Sequence, residues 1–163
     1  MLIPDYHVAV KCIFRVLRRD GQVAITAWKS QGHWDYLVRA ARQVFRDKSY
    51  PPPRFFDDKW LSGDYIANIL ARSGFRYLPR LPLIRRITVH EKTHMWAWSS
   101  KESFVAFVGR NTAPVIQRYM AEWSHQQKEE VVMEIFKILD IEFPGRDAFT
   151  VPMVANIVVG CKR

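Results

Sequence analysis

The chain has 163 residues, of which 48% are hydrophobic and 25% are charged, and this composition excludes a disordered protein. Its net charge of +9 comes from arginines and lysines spread over several predicted elements, so nucleic acid is not an expected partner. No apolar run reaches the roughly 18 residues that a membrane span requires, and the first residues do not resemble a secretory leader. These features predict a cytoplasmic protein.

The first quarter of the chain predicts a helix, a turn and a strand. The helix is predicted over Pro4–Arg18, because proline suits a helix start and apolar residues recur on one face. Gly21 is expected to take the left-handed conformation that turns the chain. The segment QVAITAW, Gln22–Trp28, has no polar alternation and is therefore predicted as a strand buried on both faces.

Two more helices follow, separated by a proline-rich loop. The second is predicted over His33–Asp47, and the prolines of YPPPRFF prevent it from continuing. Ser62 is a good N-cap for the third helix, which also has Asp64 in its first turn. The segment SGF, Ser73–Phe75, ends that helix.

The second half of the chain predicts a strand, three helices and a closing strand. The first strand ends at His90, and pairs of the type Ser-x-x-Glu or Ser-x-x-Gln mark two of the helix starts, at Ser99 and Ser124. Thr112 and Pro114 mark the start of the helix between them. The predicted ranges are 77–90, 99–107, 112–123, 124–139 and 149–163.

Three segments resemble class I S-adenosylmethionine-dependent methyltransferases. FRVLRRDGQVAITAW (Phe14–Trp28) is similar to their helix-turn-strand, YIANILARSGFRYL (Tyr65–Leu78) to a helix followed by GF and a strand, and MVANIVVGCKR (Met153–Arg163) to their closing strand. The likeness is greatest to the small-molecule enzymes of ubiquinone biosynthesis and fungal secondary metabolism. It implies an α/β fold, a partial Rossmann-like sheet of few strands with helices packed on it. The chain would be one truncated domain, 1–163, with a helical insertion over about 91–140 before the last strand.

The resemblance covers the substrate-side half of that family and not the cofactor-binding half. Arg19 and Asp20 stand where the family usually has Pro and Gly, and none of the seven glycines forms the G-x-G turn that lets a backbone approach such a cofactor. No cofactor-binding residue is therefore assigned. The isolated chain is expected to bind no cofactor, and S-adenosylmethionine would bind only if a partner supplied the missing half.

The resemblance also places an open edge on the strand Gln22–Trp28. Its neighbour on one side would belong to the missing half, and an open strand edge favours pairing with another chain. The expected partner is a second copy of the chain or a second methyltransferase-like chain.

The chain is rich in aromatic residues after the predicted central strand and within the predicted insertion, the segments that build the small-molecule pocket in the resembling family. Large aromatic side chains suit an apolar ring-containing substrate, and a few polar groups orient it. The alternative is that these residues simply pack in the core. The candidate substrate-binding residues are Trp28, Lys29, Trp34, Trp60, His94, Trp96, Trp98, Phe107 and Arg110.

No catalytic constellation is evident, and no catalytic residue is assigned. His90 and His94 have the spacing of a metal pair only on a helix, whereas a strand is predicted there, so no metal site is expected. Cys12 and Cys161 are expected to be free thiols. The sequence predicts a methyltransferase-like protein that acts on or binds an apolar small molecule. The alternatives are a cofactor-independent cyclase or isomerase, or a non-catalytic subunit that completes the site of another chain.

Overall fold

A computed structural model describes residues 5–53, 57–75, 87–110 and 114–162, and over these residues the fold is mixed α/β. Six α-helices and three strands are formed, together with a short 3₁₀ helix at Asp58–Leu61. The α-helices and strands, in chain order, are α1 Tyr6–Val16, β1 Gln22–Gln31, α2 Gly32–Val44, α3 Gly63–Arg72, β2 Thr88–Trp98, α4 Lys101–Gly109, α5 Pro114–Tyr119, α6 His125–Glu142 and β3 Phe149–Cys161.

The three strands form one antiparallel sheet in the order β1-β3-β2. The closing strand β3 is therefore the central one. Within the described residues β1 pairs with β3 alone and lies at an edge of the sheet.

Strand β1 is not buried on both faces, contrary to the prediction from its unbroken apolar run. Val23, Ile25 and Ala27 are half-buried and pack against a hydrophobic core, whereas the residues between them are exposed. Trp28 is 42% exposed. The period-2 geometry of a strand gives QVAITAW one covered face and one open face, although its composition does not alternate.

The turn between α1 and β1 uses Asp20, and not Gly21, as its left-handed residue. Asp20 has a φ of 59°, a conformation that aspartate tolerates better than most residues. Gly21 is needed for close approach instead, since a Cβ atom there would lie 2.8 Å from the carbonyl oxygen of Arg18. The predicted turn is confirmed, but the prediction that Gly21 is its left-handed residue was wrong.

The predicted N-cap is confirmed at the two helices for which the sequence offers a single serine. The Oγ atom of Ser62 accepts a hydrogen bond from the backbone of Tyr65 at 3.3 Å, and Ser124 forms the predicted capping box with Gln127. Helix α4 corrects the prediction, because its N-cap is Ser100, which accepts from the backbone of Ser103. Ser99 and Ser100 carry the same hydroxyl group, so either could serve as the N-cap. The position at which β2 ends determines which of them caps α4.

Strand β2 runs from Thr88 to Trp98 and so extends past His90, where the predicted strand ended. Threonine, valine and tryptophan favour extended backbone over this stretch. The earlier part of the predicted strand, 77–86, lies outside the described residues. Nearly all of β2 is exposed.

The chain divides into two compact units. Unit 1 comprises residues 1–30, 56–93 and 154–163. Its core lies between α1, α3, the 3₁₀ helix and the strand segments, and consists of Val10, Trp60, Ile66, Ile69, Leu70, Phe75 and Val158, with half-buried neighbours that include Tyr6, Phe14 and Tyr65.

Unit 2 comprises residues 31–55 and 94–153. Helices α2, α4 and α6 contact one another and enclose its core with α5. The predicted helical insertion, about 91–140, contains α4, α5 and nearly all of α6, but it also contains most of β2 and so is not wholly helical. The largest fully buried side chains of this core are Leu37, Phe104, Val108, Ile116, Val131, Ile135, Leu139 and Val151.

Candidate functional site

Five aromatic rings meet in unit 2, where the start of α2 and the end of β2 approach α4. Phe107 is central to this group, with its ring centroid 5.3 Å from that of His33 and 5.2 Å from that of Trp98. Trp96 and Trp98 are two residues apart on β2, so their side chains leave the same face of the strand, and their rings are 5.1 Å apart. We call this group the aromatic cluster; its members are His33, Trp34, Trp96, Trp98 and Phe107.

The aromatic cluster combines an accessible ring with a buried polar atom. Trp96 is 37% exposed, whereas Trp34 is buried. The indole N–H of Trp98 is buried and has no hydrogen-bond partner among the residues that the structure describes. A buried donor without an acceptor costs about 1–3 kcal/mol.

His33 is an uncharged member of the aromatic cluster. It is 3% exposed, and its Nδ1 atom lies 3.2 Å from the Sδ atom of Met153. Burial lowers the pKa of His33 to about 4, so the ring is neutral at pH 7. A general base works best with a pKa near the operating pH. The ring is therefore better suited to packing against a ligand than to proton transfer.

Four of the predicted site residues come together in the aromatic cluster: Trp34, Trp96, Trp98 and Phe107. His94 is exposed and lies on the same face of β2 as Trp96, because side chains two residues apart share a face. Arg110 follows α4, where its guanidinium lies 3.5 Å from the carboxylate of Glu129.

The other three predicted site residues belong to unit 1. Trp60 is buried in the core of that unit and makes edge contacts with Tyr6 and Tyr65, at centroid distances of 4.8 and 5.5 Å. Lys29 forms an ion pair with Glu91, with 2.5 Å between Nζ and Oε1. Trp28 is exposed on the open face of β1.

Sequence reasoning missed His33 and Met153. The dipeptide His33–Trp34 at a helix start was a usable signal, because an aromatic pair there must face either the core or a pocket. Met153 gave no signal, since its contact with His33 joins residues 120 positions apart.

Metal binding finds no support in the described part of the chain, which holds no group of three or more His, Cys, Asp or Glu side chains arranged around a common point. Within the same residues, no helix is both long enough and apolar enough to cross a membrane. No protein-family model matches the chain, and no curated protein matches it.

Proposed function

We propose that this protein is methyltransferase-like and binds an apolar, ring-containing small molecule against the aromatic cluster. The observation that carries the proposal is the accessible ring of Trp96 beside the unpaired, buried N–H of Trp98. Aromatic rings at centroid distances of 5–6 Å attract a further ring in edge or offset geometry. The N–H favours ligands that present a carbonyl or ether oxygen.

The order of the elements supports the methyltransferase likeness. A helix, a turn and a strand occupy Phe14–Trp28, a helix ends at Ser73–Phe75, and Met153–Cys161 lies in the closing strand. A partial Rossmann-like sheet is the fold that we propose on this ground. Without a G-x-G turn in the sequence, the chain alone is expected not to bind S-adenosylmethionine.

Any reaction at the aromatic cluster would depend on positioning. Alignment of a flexible molecule against rigid rings can accelerate a unimolecular cyclisation or isomerisation without a cofactor. The low pKa of His33 argues against a general base there. Binding is therefore the first property to test.

The binding test uses 1,4-naphthoquinone, which has acceptor oxygens, and naphthalene, which has none. We expect calorimetry to show that the wild-type chain binds naphthoquinone more tightly than naphthalene. Trp98→Phe keeps a ring but removes the N–H, so it should weaken naphthoquinone binding about five- to tenfold, the equivalent of one hydrogen bond. Naphthalene binding should change little.

Trp60→Phe is the matched control, because Trp60 lies in the core of unit 1. It should leave both affinities at the wild-type value. The proposal fails if neither compound binds the wild-type chain, or if Trp60→Phe and Trp98→Phe have equal effects.

A second candidate function is favoured by the position of β1 at an edge of the described sheet. The chain could pair through that edge with a second copy or with another methyltransferase-like chain, and such a partner could supply the cofactor-binding half. Adjacent strand residues direct their N–H groups to opposite sides. Ala24→Pro and Ile25→Pro therefore remove N–H groups on opposite sides of β1. One of the two substitutions removes an N–H that points to the open edge, and the other removes an N–H that faces β3.

Sedimentation of the wild-type chain at micromolar concentration tests this candidate. A dimer is expected, and the proline that replaces the outward N–H should give a folded monomer. A monomeric wild-type chain excludes self-pairing, and S-adenosylmethionine calorimetry on any co-purified complex then tests for the other kind of partner.

A further inference from the structure

Helix α1 carries apolar side chains on the face that points to solvent. Its inner face packs Val10, Ile13 and Phe14 in or against the core of unit 1. On the opposite side Val8 is 55% exposed and Val16 is 74% exposed, with the exposed Cys12 between them. Spacing of four residues places these three side chains in one row along the helix. We call Val8, Cys12 and Val16 the outer row.

Cations border the outer row. Lys11 and Arg15 are exposed and lie beside it on the helix surface at 100° per residue, and Arg18 and Arg19 follow directly after the helix. None of these four side chains forms an ion pair within the described ranges of the chain. Their charge is therefore available to a partner.

Few acidic groups oppose these cations. Over residues 5–20 the acidic side chains are Asp5 and Asp20, and the carboxylate of Asp5 already accepts a hydrogen bond from the backbone of Val8 at 3.0 Å. The sequence of unit 1 contains 14 lysines and arginines against 6 aspartates and glutamates, a net +8, whereas unit 2 has 11 against 10, a net +1. The charge that is dispersed along the sequence is thus concentrated in the unit that carries α1.

We propose that the outer face of α1 docks on an anionic lipid surface, with the outer row at the level of the headgroups and the four cations against lipid phosphate or carboxylate groups. An amphipathic helix that presents both exposed apolar side chains and unpaired cations matches an anionic bilayer in both respects. A nucleic acid would pair with the cations but would leave Val8 and Val16 in water. The exposed apolar side chains of the outer row therefore favour a lipid surface over a nucleic acid.

This mode of binding is peripheral and does not depend on the small-molecule site. The buried face of α1 stays in the core of unit 1 while the outer face meets the lipid. Such contact is reversible and sensitive to salt, because most of its strength comes from charges at a surface.

Co-sedimentation of the full chain with lipid vesicles tests the proposal. We expect binding to vesicles of 70% phosphatidylcholine and 30% phosphatidylserine at 50 mM salt, and loss of binding on pure phosphatidylcholine or at 0.5 M salt. K11Q/R15Q should weaken partitioning roughly 10- to 30-fold, from the typical contribution of each cation at such a surface. V8S/V16S should weaken it several-fold with no change in charge.

R118Q/K128Q is the matched control, because it removes the same charge from helices of unit 2. It should bind vesicles nearly as well as the wild-type chain. Circular dichroism melting of each variant verifies that α1 is still folded, and a labelled single-stranded 20-mer tests the other polyanion. The proposal is overturned if the wild-type chain ignores the anionic vesicles, if V8S/V16S binds them like wild type, or if both charge pairs weaken binding equally. Tighter binding to the oligonucleotide, unaffected by V8S/V16S, would identify a nucleic-acid surface instead.

Discussion

The Nδ1 atom of His33 lies 3.2 Å from the Sδ atom of Met153, a contact that joins the first turn of α2 to the first half of β3 within unit 2. Both side chains are 3% exposed. A thioether is a weak acceptor and cannot stabilise an imidazolium as a carboxylate would. This contact therefore holds a neutral histidine in the aromatic cluster.

The buried His33 should make stability fall in mild acid. Its pKa is about 4 in the folded chain and about 6.5 when exposed, so the unfolded chain binds more protons between these values. The free energy of unfolding should therefore decrease as the pH is lowered from 6.5 to 4, by at most about 3 kcal/mol from this group. Urea titrations at pH 7.5, 5.5 and 4.5 measure it.

H33Q should flatten that part of the pH dependence, whereas H125Q, at an exposed histidine of α6, should keep the wild-type slope. Equal slopes for the wild-type chain and H33Q would show that another group is responsible.

Replacement of Gly32 by alanine should be strongly destabilising. A Cβ atom at this position would overlap the backbone carbonyl oxygen of Pro152, which cannot move aside as a flexible side chain can. We expect a loss of about 2–3 kcal/mol in the free energy of unfolding. G109A should cost less, because its Cβ would meet the Val132 side chain, at 2.9 Å. The idea is wrong if G32A melts at the wild-type temperature.

Asn156 should stabilise unit 1 through one hydrogen bond. This side chain is 1% exposed, and its Nδ2 atom donates to the carbonyl oxygen of Leu61 at 2.8 Å. N156A leaves that carbonyl without its donor, and the expected cost is about 1–3 kcal/mol. N68A, at an exposed position of α3, should instead raise the free energy of unfolding by up to about 0.7 kcal/mol, since alanine is the better helix former. Thermal unfolding of both variants decides, and equal melting temperatures would refute the role of Asn156.

Lys162 should act as a C-terminal cap for α1. Its Nζ atom donates to the carbonyl oxygens of Leu17, at 2.7 Å, and Arg15, at 3.2 Å, and lies 4.9 Å from the ring centre of Phe14. K162M keeps the aliphatic stem but removes the donor, and should cost about 1 kcal/mol. K92M, at an exposed lysine of β2, is the control and should be neutral. Hydrogen exchange in the last turn of α1 should be faster in K162M alone, and unchanged exchange there would contradict the capping role.

Local patterns in the sequence were enough to place most helices and two of their N-caps. Ser62 and Ser124 were recognised because an N-cap needs one oxygen within three residues of the backbone that it accepts from. The same rule could not choose between Ser99 and Ser100. That choice depends on where β2 ends, which is set by its pairing with β3.

The residues of the candidate site could be predicted from the sequence only in part. Trp34, Trp96, Trp98 and Phe107 were proposed together and do meet, but Trp60 was placed with them and packs in the other unit. Composition shows that a chain is rich in aromatic residues. It does not show which of them pack in the same core, because contacts within a core join residues that are far apart in the sequence. Trp34 and Trp60 are buried, as the core interpretation predicts, and the pocket interpretation stays a prediction.

By itself, the sequence determined the identity of the elements and the approximate limits of most of them, since helix and strand periods and capping boxes act over a few residues. The limits of β2 are the exception, because this strand runs from Thr88 to Trp98 and the predicted strand ended at His90. Only the tertiary structure decided that β3 lies between β1 and β2, that one face of β1 is open, and that the net positive charge collects in unit 1. Strand pairing and division into units are set by hydrophobic contacts between distant segments. No local sequence pattern specifies the strand pairing or the division into units, because both depend on contacts between residues that are far apart in the sequence.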